Sequence, residues 1–221
     1  MPTLRASKWP GRGALVLASI AVLLLADAGY LHAKAVFAQV LLERAWQQSM
    51  RDGSPVKPWP WADAAPVARL SVARLAVTRI VLSGDSGRSL AFAPGWSEST
   101  AYPGASGASV ISAHRDTHFR FLRDLVVGDR IELQGPRGTR DYRVDALRVV
   151  DSRHARIDAG GEDDRILLVT CYPFDAFDAR GPLRYLVEAG AITSGTGMRA
   201  TDRADGRVAT APRPAGFDST P

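Results

Sequence analysis

A mainly β domain of about eight short strands, a barrel or a sandwich, set behind an N-terminal membrane-anchor helix, is the architecture this sequence predicts. Three observations carry it. A basic start with Arg5, Lys8 and Arg12 precedes the apolar run ALVLASIAVLLLA at 14–26. A Pro- and Trp-rich stretch comes next, and then short β-like runs punctuated by turn residues extend from 67 to 190. At 221 residues and 46% hydrophobic residues, the chain suits one globular domain with attachments.

The apolar run is shorter than the roughly 20 residues that span a bilayer, and Ala26-Asp27-Ala28 could pass for a signal-peptidase site. Gly29, Tyr30 and Leu31 extend the stretch, however, with Tyr30 placed where interfacial aromatics concentrate, so an uncleaved anchor over residues 1–32 is favoured. Basic residues ahead of the run hold the N-terminus in the cytoplasm by the positive-inside rule. Either reading exports the β domain.

Residues 33–66 divide into a juxtamembrane helix and a linker. Val36, Val40, Leu41 and Trp46 recur at roughly the spacing of one helical face. Gly53, Pro55, Pro58, Pro60 and Pro66 then end the helix and impose an extended linker. Trp46, Trp59 and Trp61 flank this junction, predicting that it packs against the domain or the bilayer. The candidate strands are VARLSVARL, VTRIVLSG, SLAFAPG, GASVISAH, DRIELQG, RDYRVDALRVV, RILLVTC and RYLVEAG. Alternation is clearest where Tyr142, Val144 and Ala146 oppose Arg143, Asp145 and Leu147. THFRFLRDL at 117–125 is the strong helical candidate inside the domain, and the polar tail at 191–221 has too little apolar surface to order itself.

The net charge of +5 raises nucleic-acid binding, but the arginines are scattered and no basic block is interleaved with aromatics. No nucleic acid is expected as a partner. The chain holds one cysteine, Cys171, at the end of RILLVTC. Free Cys is often simply a small buried hydrophobe. In an exported domain a lone thiol with no partner in its own chain still asks for a reason, and a strand end followed by Pro173 places it at a rim. His114 ends another strand, 57 positions earlier (171 − 114), and could serve as the acid/base a thiol nucleophile needs. Arg184 lies 13 positions after the cysteine (184 − 171), and reaches the same rim if its strand is the antiparallel neighbour. Its donor fork suits an oxyanion or carbonyl.

Together, HRDTHFRFLRDLVVGDRIEL, LLVTCYPF and GPLRYLV, in that order, resemble the sortases, membrane-anchored cysteine transpeptidases, over roughly 67–190. In HAKAVFAQVLLERAW and KPWPWAD the chain is most similar to the proteobacterial branch. Leu168, Thr170 and Cys171 match the family's Thr-Leu-x-Thr-Cys strand, with Leu167 where the first Thr is usual. The resemblance implies an eight-stranded closed barrel with short helices, in which Cys171 is the nucleophile, His114 the general acid/base and Arg184 the group that positions substrate or oxyanion, with Thr170 at the substrate site. It further implies an exported target protein with a C-terminal sorting signal, an amine acceptor of unknown identity, and residence in the inner membrane as a single-pass protein with a periplasmic catalytic domain. No cofactor is implied.

Competing readings are weaker. His114 and His118 have a two-ligand metal spacing, but the helical register fails if His114 ends a strand, and no third ligand is evident; no metal is expected. The acidic GEDDR at 161–165 reads as a solvated turn rather than a calcium loop. A peptidoglycan-crosslinking cysteine transpeptidase would want an Arg two positions after the nucleophile, where Pro173 stands, and a papain-like protease would want Cys before His. The rival of another class is a non-catalytic anchored β-barrel module with a buried structural cysteine. Groove specificity is expected from loops such as 91–107.

Overall fold

The computed structural model describes residues 11–156, 163–176 and 181–192. Strands β1 (Pro66–Val72), β2 (Val77–Ser83), β3 (Gly95–Trp96), β4 (Ala108–Ser112), β5 (Arg130–Gly135), β6 (Gly138–Asp151), β7 (Arg165–Cys171) and β8 (Leu183–Ala191) close into one barrel in the order β1-β2-β3-β4-β7-β8-β6-β5. Closure leaves no open sheet edge. Of the two architectures open to the strand pattern alone, the barrel is the one formed, and the expected eight-stranded closed barrel stands.

Period-2 alternation fills the barrel. Leu70, Val72, Val81, Ile111, Ile131, Leu133, Tyr142, Val144, Ile166, Leu168 and Val187 point inward into one core, closed at one end by Phe119 and Leu122. In β6 the expected alternation holds through Val144 and then changes phase. A bulge between Val144 and Ala146 inserts Asp145, whose carboxylate accepts the Gly190 N–H at 2.8 Å. Leu147 rather than Ala146 therefore packs against the core. The expected helix at 117–125 is a short 3-10 segment, Arg120–Asp124, with Phe121 and Leu122 buried.

SLAFAPG is not a strand. Its residues form the end of a one-turn helix, α2 (Gly87–Leu90), and a turn, and only Gly95–Trp96 pair with β2 and β4. This segment must cross over to join two parallel strands, β2 and β3, so most of it lies outside the ladder. Gly95 permits the approach: a Cβ there would sit 2.4 Å from the Gly84 carbonyl oxygen.

At the N-terminus the anchor and juxtamembrane helices are one continuous helix, α1 (Arg12–Asp52). It stops at Gly53, whose φ of 66° is the left-handed cap that glycine supplies. The buried face keeps Trp46 of the residues the sequence spacing indicated, but is otherwise shifted. Ala38, Leu42, Ala45, Trp46 and Ser49 are buried, while Val36 and Val40 are 51% and 41% exposed. The small side chains at 38, 45 and 49 let the helix approach the outer face of β1 and β2, where Leu42 and Trp46 pack with Ala64, Ile80, Leu82 and Ala93. Arg69 of β1 pairs with Glu43, and its guanidinium lies 5.6 Å from the Trp46 ring. The linker is not a free tether either. Val56 donates to the Ser49 hydroxyl, Trp59 meets Phe92 edge-on at 5.2 Å, and Ala62 and Ala64 are buried. The C-terminal part of α1 is thus packed on the barrel. From residue 193 on, the tail lies outside the described residues.

Candidate active site

Strand direction alone brings the candidate residues to one end of the barrel. β4 and β7 run parallel, so their C-terminal ends share a rim, and antiparallel β8 begins there. Cys171 closes β7, and its register partner on β8 is Arg184. On β4 the pairing runs to Ser112 opposite Val169, so two residues further brings His114 level with Cys171. The hydroxyl of Thr170 supports that extension by donating to the Ala113 carbonyl at 2.7 Å.

Alternation then decides which face each side chain takes. Ile166, Leu168 and Thr170 face the core side, so Leu167, Val169 and Cys171 face outward. The outer surface is a ladder of three rungs: Val110, Leu167 and Glu188; Ser112, Val169 and Leu186; and at the rim His114, Cys171 and Arg184. Val110, Leu167 and Leu186 form a buried cluster of their own. Leu167, where the resemblance leads one to expect Thr, is therefore a packing residue of this buried cluster. Adjacent strands are about 5 Å apart, which sets the spacing of the three rim positions. The solvent gradient across the rung is useful: His114 is exposed, and Cys171 and Arg184 are half-buried. Arg184 is steadied by donating to the Gly181 and Leu183 carbonyls at 2.7 and 2.9 Å.

Thr170 is placed differently from the other three. Its side chain is 3% exposed, on the opposite face from the thiol, and its hydroxyl is committed to Ala113. In this geometry it ties β7 to β4 beneath the site and does not line the outer ladder. The 91–107 loop divides between the two ends of the barrel, because Gly95 pairs with Ser112 at the Cys171 end. Residues 97–107 lead into the start of β4, which pairs with the start of β7 at Arg165. They sit at the opposite end of the barrel from Cys171, built around Trp96 and Tyr102. There Asp164 of GEDDR accepts the Gly107 N–H at 2.8 Å and pairs with Arg140. That residue is a structural tie rather than part of a solvated turn; Gly161 and Glu162 lie outside the described residues.

Two features escaped the sequence reading. Arg115, next to His114, is 3% exposed. Its guanidinium donates to the carbonyls of Pro173 and Ala176, just beyond Cys171, and to Asp116 at 3.2 Å. One buried cation thus fixes the spacing of the loops that carry His114 and Cys171. In a chain with many scattered arginines, nothing in the local pattern distinguishes it. The second is an aromatic plug below the rim. Tyr172 stacks on Tyr185 at 6.1 Å, and Phe174 meets Tyr185 edge-on at 5.1 Å. Burial, with the nearby Tyr172, pushes the Tyr185 phenol up. Among the described residues no group of three or more His, Cys, Asp or Glu side chains is placed to hold a metal. His118 points to the barrel wall instead, where burial, then Arg79, depress its pKa and a hydrogen bond with the Ala91 backbone acts the other way.

A family model described as the sortase domain matches residues 70–192, which is more than half of the chain and holds all three rim residues. The chain belongs to the sortase family. Sortase D of Bacillus subtilis (strain 168) is 33% identical to this sortase over 93 residues, 42% of this chain and 46% of that protein. The match therefore spans under half the length of that relative. Among solved structures, a Clostridium perfringens Sortase D5 transpeptidase superposes with a TM-score of 0.58 at 20% identity, covering 71% of this chain and 99% of that one. Sortase A from Corynebacterium diphtheriae gives 0.54 at 23% identity, covering 70% and 84%. At such identities the likeness is one of fold.

Proposed function

We propose that this sortase is a membrane-anchored cysteine transpeptidase that cleaves a C-terminal sorting signal of an exported target protein and transfers the new carboxyl end to an amine, or to water. The observation that carries the reading is the rim rung itself, in which His114, Cys171 and Arg184 fall on one outer face at one end of three adjacent strands. A strand-end thiol between an acid/base and a fixed guanidinium has what acyl transfer requires.

In the proposed cycle the Cys171 thiolate attacks a backbone carbonyl of the sorting signal, the tetrahedral oxyanion is met by Arg184, and the C–N bond breaks as His114 protonates the departing amine. A thioacyl enzyme results. His114, now neutral, takes a proton from the incoming amine or water as it attacks, the C–S bond breaks, and the thiolate is restored. The peptide would lie across the rim rung, where His114 is exposed and Cys171 and Arg184 are half-buried.

α1 is long and apolar enough to cross a membrane, and the apolar window of the helix has no buried residues. A helix apolar all round needs a non-aqueous environment. The likeness to proteobacterial sortases and the basic N-terminus support an uncleaved single-pass anchor in the inner membrane, with a cytoplasmic N-terminus and a periplasmic barrel.

The test uses the full chain in detergent, because a fragment starting near residue 50 would lose Leu42 and Trp46 from the packed face. It is incubated with a degenerate library of sorting-type peptides and followed by intact mass. A thioacyl adduct on Cys171 in wild type, absent in Cys171→Ala and reduced in Arg184→Ala, is expected, and its mass reads out the motif. No adduct, together with resistance of Cys171 to iodoacetamide, would favour the non-catalytic module with a structural thiol.

A further inference from the structure

Where α1 leaves its apolar span, a groove of about 680 Å³ opens between the helix and the barrel, within the size range of small-molecule sites. Phe37 and Leu41 of α1 form one wall, and Trp59, Trp61 and Phe92 the other. Two of these aromatics are turned outward: Phe37 is 60% and Trp61 80% exposed. Lys34, Arg88 and Asp63 stand at its edge, with Arg88 and Asp63 paired at 3.4 Å, leaving a net positive rim.

The height of the groove above the membrane is set by helix geometry. Ala14 to Leu31 is helix that is apolar except for Ser19 and Asp27, with its large hydrophobic side chains exposed, and at 1.5 Å per residue it covers about 27 Å, close to the roughly 30 Å of a hydrocarbon core. Lys34 then lies about 5 Å and Phe37 about 9 Å beyond Leu31 along the axis, at the depth of the headgroups and the layer just above them. Exposed aromatics and cations are favoured at that depth, where one end of the side chain is apolar and the other wet.

We propose that this groove is a phospholipid seat. An acyl chain of an anionic phospholipid from the leaflet on the barrel's side lies between Phe37 and Leu41 on one wall and Trp59 and Phe92 on the other, with Trp61 among the headgroups and Lys34 and Arg88 beside the phosphate. The proposal rests on reading α1 as a spanning anchor, and it adds a second attachment to that rod. Two attachments fix the tilt of the barrel, and hence the height of the Cys171 rim, where one would let it swing. A lipid fits better than a polypeptide because the groove is continuous with helix surface that already faces the bilayer.

The full chain is reconstituted into phosphatidylcholine vesicles containing phosphatidylglycerol, with a trace of either lipid bearing a photoactivatable diazirine high on one acyl chain. Adducts are mapped by peptide mass spectrometry, and integral insertion is checked by carbonate extraction. Expected are adducts on the apolar span of α1 and, separately, on residues 59–63 and 88–92. Filling the groove by Ala91→Trp, at an exposed wall position, lowers the second set at least fivefold and spares the first. Lys34→Glu with Arg88→Glu lowers the preference for the phosphatidylglycerol probe at least threefold. Adducts confined to α1 overturn the seat and leave the anchor standing, as does a groove signal indifferent to Ala91→Trp. Carbonate release with no α1 adducts overturns both. Displacement of the groove adducts by a co-reconstituted transmembrane peptide would replace the lipid with a polypeptide occupant.

Discussion

The barrel has two outer faces that begin from the same pattern and end differently. On β1 and β2, outward residues such as Ile80 and Leu82 meet Leu42 and Trp46 of α1 and are sealed. On β4, β7 and β8, Val110, Leu167 and Leu186 make a comparable apolar patch, but the ladder runs on to His114, Cys171 and Arg184, which keep contact with solvent. The interior treats both alike. The lesson is that in a closed barrel the core faces inward, so the outward half of each strand is available for either attachment or chemistry, and the two can be changed independently.

The largest expected effect separates them outright. Cys171→Ala removes the proposed nucleophile, and the thioacyl adduct should vanish by intact mass while the thermal transition moves little, because Cys171 is half-buried at a strand end with no packing role in the core. Survival of peptide cleavage in that variant would place the chemistry elsewhere. The complementary break is Trp46→Ala. A side chain 1% exposed between helix and barrel should cost about 3–5 kcal/mol when truncated, seen in denaturant melts of the detergent-solubilised protein, with alkylation of Cys171 by iodoacetamide unchanged below the transition. If alkylation changed in step with stability, the two faces would be coupled and the comparison would fail.

Arg115 sharpens the boundary, because it belongs to the site face yet is buried like a core residue. Arg115→Met leaves the Pro173 and Ala176 carbonyls without their donor. Destabilisation of about 2–4 kcal/mol is expected from losing hydrogen bonds to a buried charged group. The readout that separates positioning from mere stability is the pH profile of cleavage at a temperature where the variant is folded. A displaced His114 loop lowers kcat by about tenfold or more and shifts the profile, and Arg115→Lys restores little of it, since one ammonium cannot reproduce the fork. An unchanged profile would reduce Arg115 to a structural staple.

Much of this could be read from the chain, and the reasons are physical. Strands such as RILLVTC and DRIELQG are short, apolar and bounded by turns, so their existence did not depend on context. The rim rung was legible because Cys171, His114 and Arg184 each stand at a strand end, and because three family motifs occur in order. What failed needed three-dimensional information. The phase change at Asp145 comes from a bulge that no alternation reveals, and the helix face chosen by α1 depends on small residues fitting a surface formed elsewhere in the chain. SLAFAPG looks like a strand because a crossover can be as apolar as one. Arg115 was invisible because the partners that tie it to the Cys171 loop, the Pro173 and Ala176 carbonyls, are backbone groups that leave no trace in sequence.

The smallest effect concerns the junction between the two faces. His118 lies four residues beyond His114 on the site side, and hydrogen-bonds to Ala91 in the wall of the groove on the other. Burial first, then the charges of Arg79 and His114, hold its pKa below the ordinary 6.5, with the Ala91 bond opposing. The folded state therefore takes up the proton less readily than the unfolded chain. Its contribution is fully present above about pH 6.5, is lost progressively as pH falls toward the folded value, and does not change further below it. Asp129 and Asp164, both held below the ordinary 3.8 by their Arg74, Gly107 and Arg140 contacts, act in the same direction only at more acid pH. Urea melts of the full chain at pH 7.5 and 5.0 should thus show a loss of stability on acidification that His118→Gln makes smaller. An identical loss in that variant would mean that the acid sensitivity of the fold lies in other groups, and that the wall shared by the two faces is electrostatically silent.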